Sequence, residues 1–260
     1  MENANVTYTP SRNLIIFIGL LLCFCAKMTE ATPLNPNAVS KIKTIVLDPG
    51  HGGRDTGVAG SNGTLEKTIA LTFARKIAAE CGQDFEIILT RTDDYGIDIP
   101  NRTAKANYLS ADLFISIHAG GSFLRKTEGI SLYYYKVQTD LPDTQFITTS
   151  KLSEETAITT WENIQNKHIP FSQILAKSIQ NGIIDQNNSL KANIEGAPLT
   201  VLAGADMPAI LIEIGHLSNP VEEKALRTPG VLSDISKGIV RGVQAFFKQQ
   251  SKTSFRDLPQ

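Results

Sequence analysis

The stretch Lys43-Thr-Ile-Val-Leu-Asp-Pro-Gly-His-Gly-Gly53 decides the fold: an aliphatic run stops at an acid, a proline and a glycine-rich loop that carries a histidine. Short runs of this kind, bounded by Gly and Pro, read as buried strands. Two further segments repeat the plan. Asp112-Leu-Phe-Ile-Ser-Ile117 runs into His118, and Ala209-Ile-Leu-Ile212 runs into Glu213. Strands alternating with helical stretches form parallel or mixed sheets, whose ligand sites lie beyond the carboxyl ends of the strands. His51, His118 and Glu213 are therefore expected on one rim. Glu66, at the start of a helix just downstream of His51, completes a set of two imidazoles and two carboxylates, the inventory of a catalytic zinc site.

Six strand signals recur in all, at Thr44–Asp48, Phe85–Thr90, Leu113–Ile117, Ile130–Tyr135, Leu199–Leu202 and Ala209–Glu213. Helical patterns fill the intervals. Ile69, Leu71, Phe73 and Ile77 give Lys67–Ala79 a broad apolar face, Pro100 suits the first turn of Asn101–Leu109, and Val231, Ile235, Ile239, Val243 and Phe246 mark Val231–Phe247. Ser218-Asn219-Pro220 reads as a turn and helix cap. The expected fold is α/β, a central, mostly parallel or mixed sheet flanked by helices in a single catalytic domain over 43–248.

A chain of 260 residues with formal net charge −1 is long enough for one well-cored domain with appendages, and neither charge sign dominates. Bulk binding of a polyanion is disfavoured, so no nucleic-acid partner is expected. Arg12 precedes the apolar stretch Leu14–Ala26, which ends at Lys27. That length suits a secretory h-region of ~7–15 residues better than a membrane-spanning helix of ~20. Residues 1–31 are expected to be a signal peptide, with an N-terminal anchor as the alternative, followed by a linker over 32–42; a polar tail covers 249–260. The protein is then exported to the periplasm or cell envelope, and meets a membrane only through its N-terminal segment. Cys23 and Cys25 would leave with the signal, so Cys81 remains alone as a packing residue and forms no internal disulfide.

The wording around the site residues is specific as well. Val46-Leu-Asp-Pro-Gly-His-Gly-Gly-Arg-Asp-Thr-Gly57, Leu65-Glu-Lys67, Thr90-Arg91, Asn101-Arg102, Ile115-Ser-Ile-His-Ala119 and Met207-Pro-Ala-Ile-Leu-Ile-Glu-Ile-Gly-His-Leu-Ser-Asn219 occur in one order. The series resembles the zinc-dependent N-acetylmuramoyl-L-alanine amidases of bacterial cell walls, the amidase 3 family, over nearly all of Lys43 to Phe247. The resemblance implies a six-stranded mixed sheet, one zinc ion per chain held by His51, Glu66 and His118, and Glu213 as general base. It implies hydrolysis of the bond between N-acetylmuramic acid and L-alanine of the stem peptide, during daughter-cell separation or wall remodelling. Peptidoglycan is the expected partner, with a protein activator of the division machinery as a further one. A zinc carboxypeptidase or endopeptidase acting within the stem, and an inactive wall-binding division protein, are the competing readings.

Some residues stand apart from that pattern. After Glu-Ile-Gly the family usually has an aromatic, most often phenylalanine, where this chain has His216. His216 either replaces a packing ring or meets the oxyanion or substrate. Arg54 and Asp55 flank the metal loop and are expected to bind substrate or to brace the loop. Arg91 and Arg102 either meet stem-peptide carboxylates or fasten loops through hydrogen bonds, and His168 lies in a polar stretch and reads as a surface residue. Residues 136–170 look like an insertion, with a helix starting near Ser153-Glu154-Glu155 and placing Ala157, Ile158, Trp161 and Ile164 on one face. That helix either packs on the domain surface, or borders the zinc cleft to grip glycan through Trp161 or cover the site.

Overall fold

The computed structural model describes residues 42–120, 128–137 and 161–256, and the side chains of all these except 161–163 and 252–256. The expected signal segment, nearly all of the linker, the start of the Ser153 helix, the side chain of Trp161 and the last residues of the tail lie outside the described residues. Among those described, no helix is long and apolar enough to cross a membrane.

In chain order the elements are β1 (Lys43–Pro49), α1 (Glu66–Cys81), β2 (Phe85–Leu89), α2 (Ile99–Tyr108), β3 (Leu113–Gly120), β4 (Ile130–Tyr135), a 3-10 turn (Trp161–His168), α3 (Ile169–Gln186), β5 (Ala192–Ala197), α4 (Thr200–Ala203), β6 (Ala209–His216), α5 (Pro220–Leu226) and α6 (Pro229–Arg256). The six strands form one sheet in the order β2-β1-β3-β6-β4-β5. The pairs β2–β1, β1–β3, β3–β6 and β4–β5 are parallel, and only β4–β6 is antiparallel. The mixed α/β sheet is as expected.

One expected strand is corrected. Leu199–Leu202 turns into the short helix α4, where Leu202 is fully buried, and the sixth strand is Ala192–Ala197. A four-residue apolar run cannot distinguish a buried strand from a buried helical turn. Ala192–Ala197, which pairs only with β4, is an edge strand whose sequence, Ala-Asn-Ile-Glu-Gly-Ala, has a single large aliphatic residue and so lacks the aliphatic signal.

Alternation along the central strands sorts side chains onto two faces. Ile45, Leu47, Ile115, Ile117, Ile210 and Ile212 enter the larger core with Phe73 and Ile77 of α1, Leu175 and Ile179 of α3, and Ile239 and Val243 of α6. Val46, Phe114 and Leu211 face the other way, into a smaller core with Ala106 of α2 and Leu202 of α4. Phe73 and Phe114 are fully buried, and truncating either to Ala should cost ~3–5 kcal/mol. Positions further along the second face are where the strands become polar: Asp48 on β1, Ser116 and His118 on β3, Glu213 on β6.

The two ends of the sheet differ. The carboxyl ends of β1, β3 and β6 share one rim. Tyr134 pairs with Ile210, near the start of β6, so β4 leaves the sheet at the opposite end. The described parts of residues 136–170 attach there at both sides: Lys136 N donates to Ala197 O at 3.0 Å, and Gln165 donates to Ala205 O and Met207 O at 2.8 and 2.9 Å. Lys43, His168, Phe171, Pro208, Phe247 and Gln250 line a groove at that same end.

Candidate metal centre

His51 sits in the turn after β1 with φ 60°, a left-handed conformation uncommon for a residue with a side chain. The turn is closed by paired backbone bonds, Gly52 N to Asp55 O at 2.9 Å and Asp55 N to Gly52 O at 3.2 Å. Asp55 Oδ2 lies 2.9 Å from His51 Nδ1, which orients the ring so that Nε2 faces inward, 3.1 Å from Glu66 Oε1. His118, from β3, brings Nδ1 to 2.9 Å from the same oxygen. Gly50 makes room for that ring, since a Cβ there would stand 2.4 Å from His118 Cε1. Glu66 opens α1, where a carboxylate is favoured by the first-turn amides.

One ligand atom from each of His51, Glu66 and His118 lies within 4.8 Å of the others, a group that can hold a metal ion. Glu66 is almost fully buried. Burial alone would raise its carboxyl, but hydrogen bonds from His118, His51 and the Val58 amide outweigh it and hold the group well below the usual carboxylate range. The Val58 amide meets Oε2 at 2.9 Å and the Ala119 amide meets Oε1 at 3.2 Å. The hydrogen bond to Glu66 raises His51 above its ordinary value against the effect of burial.

Glu213 is the cross-strand neighbour of His118 and lies opposite Ser131 on β4. Its surroundings are the reverse of those of Glu66. Burial pushes its carboxyl up to about 7, and Oε2 is buried without a hydrogen-bond partner. His216, three residues on, is 8 % exposed, and its Nδ1 is likewise unpaired.

Beneath the metal loop lies a polar network largely missed by sequence reasoning. Asp48 is fully buried; its Oδ1 accepts from Thr90 Oγ1 at 2.6 Å and Arg102 Nη1 at 2.8 Å, and its Oδ2 from Ser116 Oγ at 2.9 Å. Arg102 also donates to Pro49 O, His51 O and Ile97 O. Arg91 is fully buried and donates to Pro49 O, Gly50 O and Lys67 O. Of the two readings open for Arg91 and Arg102, the loop fastener is the one this geometry matches; for Arg102 as a substrate contact it is a correction, because its guanidinium is turned inward and engaged. The available signal was Asp48 itself, a charge ending a buried strand that requires partners.

Glu223 accepts from Ser61 Oγ, Asn62 N and Thr64 N at 3.0–3.2 Å, pinning the loop that leads into Glu66. The expected cap before it is present, with Asn219 Oδ1 accepting from Val221 N at 3.0 Å. Arg54 is exposed and lines an open groove with His51, Asp55, Tyr95 and Asp98. His168 is partly exposed and pairs with Asp206 at 3.0 Å.

With that geometry in view, residues 45–245 match the family model described as N-acetylmuramoyl-L-alanine amidase. The chain belongs to this amidase family. Among amidases of known sequence it is 32% identical over 218 residues to N-acetylmuramoyl-L-alanine amidase AmiC of Escherichia coli O6:H1, covering 78% of this chain but only 52% of that one. It is 28% identical to AmiA of Salmonella typhimurium, over 91% of this chain and 92% of the relative. The crystal structure of the amidase from Clostridium difficile 630 superposes with a TM-score of 0.64 at 28% identity, covering 80% of this chain and 98% of that one.

Proposed function

We propose that this chain hydrolyses the amide bond between N-acetylmuramic acid and L-alanine in bacterial peptidoglycan, with one zinc ion held by His51, Glu66 and His118. The observation that carries the reading is the convergence of those three donors within 4.8 Å, with Glu213 on the adjacent strand, in a chain of the amidase family. Two imidazole nitrogens and one ionised carboxylate oxygen suit zinc in a site that keeps a position open. The Asp55 carboxylate behind His51 is the kind of partner that fixes a ligand's tautomer and orientation. Bound there, zinc supplies Lewis acidity, which acidifies the attacking water and polarises the scissile carbonyl.

The chain's own groups do the remaining work. Glu213, as general base, takes a proton from the attacking water as its oxygen bonds to the carbonyl carbon. The protonated carboxyl then gives that proton to the nitrogen as the C–N bond breaks, leaving a carboxylic acid on the lactyl group, which then ionises to solvent, and a free amine on L-alanine. Burial that raises the proton affinity of Glu213 suits a carboxyl that must take up a proton and hold it for the departing nitrogen. Arg54, exposed beside His51, is the group placed to meet a stem-peptide carboxylate. Export to the envelope follows from the substrate. A protein activator fits the family too, since the CwlD amidase of Clostridioides difficile is known in complex with the GerS lipoprotein.

Digestion of purified peptidoglycan followed by mass analysis tests the reading. The expected products are intact stem peptides beginning with L-alanine, together with peptide-free glycan. Fragments cut within the stem would assign the chain to the peptidases instead, and the absence of soluble products from zinc-loaded protein would remove the enzymatic reading.

A further inference from the structure

The open groove beside the metal loop has firmly held walls. Gly52 and Gly53 let residues 94–98 lie flat against that loop, since a Cβ at Gly52 would stand 2.2 Å from Tyr95 O and one at Gly53 2.9 Å from Gly96 N. Gly53 N donates to Asp94 Oδ1 at 2.8 Å, and Lys67 Nζ ties Gly53 O to Asp94 Oδ2 at 2.8 and 2.7 Å. Arg102 joins the walls from below, donating to His51 O at 2.9 Å and to Ile97 O at 3.1 Å. One guanidinium therefore separates the carbonyl of a metal ligand from the residue before Asp98.

Arg54, Asp55, Asp94, Asp98 and Arg102 are the acidic and basic side chains that line this groove. Three of them are engaged: Asp55 with His51 and Gly57 N, Asp94 with Lys67 and Gly53 N, and Arg102 with Asp48. The side chains of Arg54 and Asp98 are exposed and have no hydrogen bond or ion pair among the described residues. Asp98 occupies the N-cap of α2, where an aspartate ordinarily accepts from a first-turn amide, yet its side chain makes no cap bond. Tyr95 and Ile99, 44% and 45% exposed, add apolar surface to the same walls. The groove thus offers a ligand one free cation, one free anion and an apolar bed.

The stem peptide has matching chemistry. Beyond its L-alanine it carries a carboxylate on the second residue and, on the third, a diamino acid, a side-chain amine that stays free until cross-linking acylates it. Arg54, three positions after His51, suits the carboxylate nearer the scissile bond. We propose that Asp98 is a specificity-determining residue that pairs with the free side-chain ammonium of the diamino residue, so that the enzyme favours stems not cross-linked through that amine. Acylation removes the charge and leaves Asp98 without a partner. The proposal rests on the amidase reading and names which stems that site selects.

The test uses the zinc-loaded full chain and two soluble substrates, a muramoyl-tripeptide with a free side-chain amine and the same molecule acetylated on that amine. An ion pair between exposed groups contributes at most ~5-fold, so wild type should show a kcat/KM ~3–5-fold higher for the free amine, expressed in KM. Raising sodium chloride to ~0.5 M should shrink that ratio, because the pair is open to solvent. Asp98→Asn should bring the ratio to about 1 without moving the urea midpoint, since asparagine caps a helix as well as aspartate does. Arg54→Gln should lower kcat/KM for both substrates and keep the ratio. A wild type that cuts both substrates equally well overturns the proposal, as does an Asp98→Asn enzyme that keeps the preference. A wild type that releases peptide from neither substrate would instead remove the amidase reading, a result distinct from an active wild type indifferent to the amine.

Discussion

The two flanks of the metal loop are built on opposite rules. Under the β1 side, Asp48, Thr90, Ser116, Arg91 and Arg102 are buried and joined by hydrogen bonds of 2.6–3.0 Å that also hold the carbonyls of Pro49, Gly50 and His51. On the β6 side, Glu213 is half-buried and His216 buried, and Glu213 Oε2 and His216 Nδ1 are buried atoms without a side-chain partner. A satisfied network fixes geometry, whereas an unsatisfied carboxylate in low dielectric keeps its proton affinity high. The first flank is scaffold and the second holds reactivity. Each variant below falls on one side of that division.

The largest effect belongs to the ligands that join the flanks. His51→Ala or His118→Ala should abolish both zinc binding and peptidoglycan hydrolysis, and a strong chelator should do the same to wild type, with zinc restoring activity. Metal analysis and release of stem peptide measure both; full activity in metal-free protein would break the comparison at its centre.

Glu213→Gln keeps the shape and removes the base. Turnover should fall by ~10²–10⁴-fold while zinc occupancy survives. Loss of zinc in this variant would move Glu213 from the reactive flank into the ligand shell.

On the scaffold flank, Arg102→Met leaves Asp48 as a buried charge stripped of its cation, which should destabilise the fold by ~3–5 kcal/mol, read as a lower urea midpoint. Arg102→Lys should recover little, because a point charge cannot reach Asp48 and the backbone carbonyls of Pro49, His51 and Ile97 together.

The smallest effect is also the sharpest, because its sign differs between two carboxylates. Glu213 has a folded pKa raised to about 7, so its ionisation opposes folding: the cost is absent below the unfolded value and complete above pH 7. In metal-free protein Glu213→Gln should therefore raise stability at pH 8 by ~2–3 kcal/mol and leave it unchanged at pH 4. Glu66 is held below the usual range, so it supports folding above the unfolded value and loses that support as pH falls. Glu66→Gln should destabilise at neutral pH, with the difference closing on acidification. Urea midpoints across the pH range test both, and a common sign would refute the division.

Much of this was legible in the sequence where the signal is local. The runs ending at Asp48, His118 and Glu213 are aliphatic because their strands are covered on both faces, and glycine on either side of His51 marks the turn that displays it. What stayed hidden depends on distance along the chain. Arg102 shows its role only by meeting Asp48, 54 positions away, and Glu223 only by meeting Asn62, 161 positions away. The reversed direction of β4 leaves no mark on its own residues, and β5 at the sheet edge has one large aliphatic residue, too few to announce itself. The end of the sheet from which residues 136–170 depart was not readable either.

That end gives the molecule a polarity. Ile42 enters there, the groove beside Lys43 includes Gln250 of α6, and Lys136 and Gln165 fasten there, while the rim with His51, His118 and Glu213 faces the other way. A fusion partner joined at Ile42 or just beyond Gln250 would therefore begin on the side of the sheet away from that rim.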